Sequence, residues 1–267
     1  MNRNSDSSSD NPPLSGAEFS GAPDMETAPA VIRGYEIIRV IGEGGMGVVY
    51  EAYQEIPRRR VAIKILRAGL LTPALLRRFA HEIEVLGHLE HPTIARIYDA
   101  GSSEASGVSQ PYFAMEFIEG LPIIRYAEEH QLSVREKVEL IQKVALGVQY
   151  AHQKGIIHRD ITPANILVST QGQPKILDFG VARATETDMR LTLAPTDVGV
   201  LLGTLLYMSP EQAGGNVAEV DVRTDIYALG MLTFELLAGQ TPYRLDPKRL
   251  DAAIRTIHEI DPLPFRR

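Results

Sequence analysis

Apolar and polar residues alternate along two short runs, residues 35–41 (Tyr-Glu-Ile-Ile-Arg-Val-Ile) and residues 48–53 (Val-Val-Tyr-Glu-Ala-Tyr), with a glycine-rich stretch between them. Alternation of this kind marks half-buried strands, and the glycines between them predict a hairpin tip. A third apolar run, 61–66, predicts another strand. Thr72 followed by Pro73 is a cap and a first-turn proline. Behind it Leu75, Leu76, Phe79, Ile83, Leu86 and Leu89 recur at helical spacing, which predicts a helix over 72–89. Strands are expected near 94–98 and 112–117, and long helices over 134–153 and 225–238. Strands first and helices later predict an α+β chain with a small β-rich lobe and a larger helical one.

Residues 1–33 lack this patterning. They are rich in Ser, Asp, Pro, Gly and Ala and almost without bulky apolar side chains. Such a segment buries too little surface to offset its ordering entropy and reads as a disordered tail. The folded part is then 34–267, divided into lobes at 34–117 and 118–267.

Composition narrows the function without naming it. The 267 residues are 44% hydrophobic and 23% charged, with a net charge of −7. That balance gives no footprint for nucleic acid or an anionic membrane. No cysteine is present, so disulfides and thiolate metal sites are excluded. No apolar stretch reaches the ~18 residues of a membrane span, and no signal-peptide pattern opens the chain, so the expected location is cytoplasmic.

The candidate chemistry lies in four places. Gly42-Glu43-Gly44-Gly45-Met46-Gly47 joins two strands rather than a strand and a helix, which disfavours a dinucleotide fingerprint. It suits a flap whose backbone N–H groups cover phosphate oxygens, although the loop alone reads equally as a mobile hairpin tip. In Val61-Ala62-Ile63-Lys64 the small Ala62 and the cation Lys64 share one strand face. Lys64 needs a partner; Glu82 on the following helix is the candidate, ahead of Glu84, about 200° further round. The strongest signal is His158-Arg159-Asp160 with Asn165 five residues on, followed by Asp178-Phe179-Gly180. Phosphoryl transfer to a hydroxyl needs a carboxylate to accept a proton and oxygen ligands for Mg²⁺. Asp160 suits the first role, Asn165 and Asp178 the second. His81-Glu82 begins a zinc-protease pattern, but Val85 stands where its second histidine belongs.

These motifs, in this order and with the later Tyr-Met-Ser-Pro-Glu-Gln stretch (207–212), resemble those of the eukaryotic-type (Hanks-type) bacterial serine/threonine protein kinases. The resemblance implies a bilobal fold, ATP and Mg²⁺ as cofactors, and protein Ser/Thr hydroxyls as acceptors. It implies phosphate contacts from Gly42, Gly44 and Gly47, a Lys64–Glu82 pair, and Met115 as gatekeeper. Backbone groups of the hinge at Glu116, Phe117 and Ile118 would bind adenine, among Ile41, Val49, Ala62 and Leu167. Asp225 resembles the acid that holds the catalytic loop from below, and Glu211 the acid after the activation segment. Thr204 and Pro163 resemble Ser/Thr-specific relatives; Arg159 resembles a receiver for a phosphothreonine, with Thr192 or Thr196 as the expected site.

Two departures set a second reading beside active transfer. Thr162 stands where that family usually carries a lysine, whose charge would stabilise the transferring phosphate. The helical lobe also stops short of the family's usual length, where the resemblance implies an arginine that pairs with Glu211, and Arg266 or Arg267 is the expected substitute. A nucleotide-binding scaffold of the pseudokinase kind is therefore the alternative to an active kinase.

Overall fold

The computed structural model describes residues 32–44, 47–67, 73–105, 108–179, 205–214, 219–244 and 250–264. In chain order these form β1 (Tyr35–Gly44), β2 (Gly47–Gln54), β3 (Arg59–Leu66), α1 (Pro73–Gly87), β4 (Ile97–Ala105) and β5 (Val108–Glu116). Then come β6 (Gly120–Pro122), α2 (Ile123–Glu129), α3 (Val134–Gln153), β7 (Ile166–Ser169), β8 (Pro174–Ile176), α4 (Pro210–Ala213), α5 (Val222–Ala238) and α6 (Leu250–Glu259). The fold is α+β with two lobes: an antiparallel five-stranded sheet, β1-β2-β3-β5-β4, and a helical lobe carrying the small sheet β6-β7-β8.

Register sorts the first sheet into two faces. Tyr50 stands opposite Ile63, and Ile63 opposite Ala114; residues directly opposite point the same way. These side chains join Tyr35, Ala52, Val61, Ile65 and Tyr112 in one apolar cluster. Ile32 belongs to it at 4% exposure, so the two residues before position 34, grouped with the tail on composition, include one that packs into the core. The other face carries Val49, Ala62, Lys64, Phe113 and Met115, and its apolar members pack against Phe79 and Ile83 of α1.

The helical lobe shows why its elements start and stop where they do. Ser133 caps α3: its Oγ accepts from the Glu136 N–H at 3.3 Å while Glu136 accepts from the Ser133 N–H at 2.7 Å. Asp221 caps α5, and Gly239 ends it in the left-handed region at φ 70°. The expected strand at 94–98 is corrected to Ile97–Ala105. Ile94 is buried for another reason: it forms a parallel bridge to Ile176, flanked by Ile176 N–H to Thr93 O (2.7 Å) and Ala95 N–H to Ile176 O (2.9 Å). Those bonds tie the two lobes together. Among the described residues no helix is long and apolar enough to cross a membrane.

Candidate active site

The catalytic-loop sequence builds its own geometry. Pro163 opens a 3-10 turn, Pro163–Asn165, with Thr162 extended ahead of it; proline suits the first turn because its missing N–H is not needed there. The turn swings Asn165 back, so its N–H reaches Thr162 O at 3.1 Å. Its Nδ2 then donates to Asp160 O at 2.8 Å and to Asp160 Oδ2 at 3.0 Å. Both side-chain bonds use the amide nitrogen, leaving the amide oxygen for another partner.

Asp178 is joined to the same loop through the backbone. The Leu177 N–H donates to Asn165 O at 2.8 Å. The His158 ring, fully buried, donates from Nε2 to Leu177 O at 2.9 Å and accepts the Asp160 N–H at Nδ1, 3.2 Å away. The neutral Nε2–H tautomer satisfies both bonds. Phe179 packs on His158 with ring centroids 4.6 Å apart. Across the cleft, Lys64 Nζ donates to Asp178 Oδ2 at 2.7 Å. Lys64, Asp178, Asn165 and Asp160, from positions 64 to 178 of the chain, thus form one connected network.

Beneath it lies Asp225, 1% exposed, in the first turn of α5. Oδ1 accepts the Arg159 N–H at 2.8 Å; Oδ2 accepts the His158 N–H at 2.8 Å and meets His152 Nε2 at 2.7 Å. Arg159 and Asp178 both adopt left-handed backbone, at φ 63° and 45°. Non-glycine residues hold such conformations only where surrounding bonds over-determine them, and Asp225 supplies those bonds for Arg159. From the far side, Gln212 Nε2 donates to Arg159 O at 2.8 Å. Glu211 accepts from Thr224 Oγ1 at 2.7 Å, so this acid has a hydroxyl partner within the described structure.

The other expected positions fall as follows. Val49 and Ala62 lie on the cleft face of the first sheet, Ala62 directly opposite Met115. Leu167 is half-buried on β7, opposite Lys175. Ile41 sits 39% exposed at a β-bulge between Val40 and Gly42. Glu116 and Ile118 lie in or beside the segment joining the lobes; the Glu116 carboxylate accepts from Lys175 Nζ at 2.8 Å and from the Arg96 N–H at 3.3 Å. The three glycines differ. A Cβ on Gly47 would stand 2.1 Å from Ile65 O, whereas one on Gly44 would meet nothing within 4 Å and one on Gly42 only Val49, at 3.7 Å. Gly47 is thus required by strand packing, while Gly42 and Gly44 are not held to glycine by any close contact. The Glu82 side chain, Thr204, Thr192, Thr196, Arg266 and Arg267 lie outside the described residues. Sequence reasoning missed Glu51, Arg60 and Lys175, whose roles come from register and cross-lobe contact.

A family model described as the protein kinase domain matches residues 35–264. The chain belongs to that family. Serine/threonine-protein kinase PknB of Mycobacterium leprae is 35% identical over 242 residues, covering 90% of this chain and 38% of that protein. PknB of Mycobacterium tuberculosis is 36% identical over 232 residues, covering 86% and 36%. The crystal structure of a mutant Mycobacterium tuberculosis PknI kinase domain superposes with a TM-score of 0.63 at 31% identity, covering 85% of this chain and 84% of that one. The chain therefore spans under two fifths of the length of these curated relatives, while it covers 84% of the solved kinase domain's chain.

Proposed function

We propose that this kinase domain transfers the γ-phosphate of ATP to Ser or Thr hydroxyls of proteins, itself included. The observation that carries the reading is the single network linking Lys64, Asp178, Asn165 and Asp160. In it Lys64 holds phosphate oxygens while Gly42 and Gly44 let backbone N–H groups approach them. Asp160 orients the acceptor hydroxyl and takes its proton as that oxygen bonds to the γ-phosphorus and the bond to the departing ADP breaks.

The donor set fits Mg²⁺. Asp178 Oδ1 is buried with no hydrogen-bond partner among the described residues, and the amide oxygen of Asn165 is not spent on Asp160. Two such oxygens, with phosphates and water, suit a hard cation that binds few protein ligands. Bound there, Mg²⁺ would neutralise charge on the phosphates. Asn165 and Asp178 are the residues that would hold it.

Thr162 replaces the usual lysine at 7% exposure, and the loop keeps its turn through the Thr162 carbonyl. Losing that cation slows transfer without dismantling the site, and nothing in the geometry of the described residues favours a scaffold over an enzyme. Ser/Thr preference is inferred from Pro163 and Thr204, and Thr192 or Thr196 is the proposed autophosphorylation site, received by Arg159. The test is phosphate incorporation from Mg-ATP into a generic Ser/Thr substrate. Asp160→Asn is expected to lower it about 10²- to 10⁴-fold; equal incorporation in both proteins would overturn the reading.

A further inference from the structure

Glu51 is an acid within the first sheet, 3% exposed, and the phosphate chemistry does not use it. Arg39 of β1 and Ala62 of β3 stand directly opposite it, so it faces the cleft side. Arg60, opposite Tyr53 two residues along β2, shares that side. Glu51 Oε2 accepts from Arg39 Nε at 2.9 Å, and Oε1 from Arg60 Nε at 2.6 Å. The Glu51 side chain is 4% exposed while those of Arg39 and Arg60 are 62% and 34% exposed. The acid is therefore hidden by its two partners at the mouth of the cleft, not sunk in the core.

Arg60 reaches further than the ion pair. Its guanidinium lies 4.0 Å over the Phe117 ring, and Nη1 stands 3.7 Å from Glu119. Phe117 lies between Glu116 and Ile118, in the segment that joins the lobes. From the other lobe Lys175 holds Glu116 at 2.8 Å. That segment is gripped from both sides, and the upper grip depends on one planar cation that stacks with its face and donates with its edge. Lysine cannot do both.

We propose that Arg60, fixed by Glu51, is a positioning residue for the nucleotide: by lying on Phe117 it sets the path of the backbone at 116–118. The proposal deepens the kinase reading and rests on it. It explains an acid and two arginines on the face that also carries Ala62 and Lys64.

The experiment measures the ATP dissociation constant in the presence of Mg²⁺, the ATP KM and kcat, and urea melts. The proteins are the full chain and its Arg60→Met, Arg60→Lys, Phe117→Leu and Arg60→Met/Phe117→Leu variants. Arg60→Met is expected to raise the ATP Kd and KM by roughly five- to tenfold, with kcat at saturating ATP within about twofold. Arg60→Lys should not restore affinity, and in the Phe117→Leu background the Arg60→Met effect should shrink below about twofold. A wild-type ATP Kd in Arg60→Met would overturn the proposal, as would an undiminished penalty without the Phe117 ring. So would a lowered urea midpoint with unchanged ATP KM, which is the signature of a purely structural arginine. A wild-type chain that binds ATP but transfers no phosphate would sink the kinase reading instead, while the Kd comparison would still decide the role of Arg60.

Discussion

Replacing Asp225 by Asn changes one atom and breaks the support of the catalytic loop. The carboxylate receives two backbone N–H groups and His152, through both of its oxygens. An amide offers one oxygen. If that oxygen takes the Oδ2 place, the new NH₂ faces the Arg159 N–H; if it takes the Oδ1 place, the NH₂ faces the His158 N–H. Either orientation leaves a buried donor pointing at a donor. Hydrogen bonds to charged groups contribute about 1.5–3 kcal/mol each, and an unsatisfied buried donor costs a similar amount. The expected loss is therefore about 2–4 kcal/mol, or roughly 6–12 °C in Tm for 3 kcal/mol in a domain of this size. Arg159 also loses a restraint on its φ of 63°, so Asp160 next to it is held less firmly, and kcat should fall about 10- to 100-fold even in the folded fraction. Urea melts and turnover at saturating ATP test this. Stability within about 0.5 kcal/mol of wild type together with unchanged turnover would refute the reasoning.

Alanine at the glycines should separate packing from ligand approach. Gly47→Ala, whose Cβ would lie 2.1 Å from Ile65 O, should destabilise by about 1–3 kcal/mol in urea melts. Gly44→Ala should melt within about 0.5 kcal/mol of wild type and weaken ATP binding severalfold; equal melting of the two variants would contradict the assignment. Glu51→Gln should show a defined pH dependence. The Arg60 hydrogen bond, followed by that of Arg39, holds the Glu51 pKa below its ordinary 4.5 against the opposing effect of burial. A depressed folded pKa contributes stability above the unfolded value and loses it as the pH falls through the folded one. The variant should therefore be less stable than wild type at neutral pH by about 1 kcal/mol, both guanidiniums being partly in water. That gap should close as the pH drops below 4.5; a gap constant down to acid pH would show that the charge on Glu51 is not what holds the arginines.

The parts of this site legible in sequence were those that local spacing dictates. Asp160 and Asn165, paired in the reading by their five-residue spacing, meet through the turn at Pro163, and the helix expected over 134–153 forms with those limits. The alternation around Gly42 to Gly47 gives the hairpin. What spacing cannot give is the partner across the fold. Lys64 meets Asp178, 114 positions away, and which acid a strand lysine reaches depends on how the lobes close. Arg39, Glu51 and Arg60 read as ordinary polar positions in alternating strands. Only the bulges in β1, on either side of Arg39 and Val40, bring that arginine opposite the acid. Ile94 read as strand because it is apolar, but its burial serves the bridge to Ile176. The strand expected near 94–98 stops short of the polar residues after Asp99, yet these pair with β5 along their length.

Metal-dependent nucleotide binding tests the central arrangement most directly. ATP affinity is measured by titration with Mg²⁺ and with a chelator, on wild type and Asp178→Asn. If Asp178 and Asn165 hold the cation that bridges to the phosphates, Mg²⁺ tightens ATP binding to wild type and loses most of that effect in the variant. Equal tightening in both proteins would place the metal elsewhere and contradict the account.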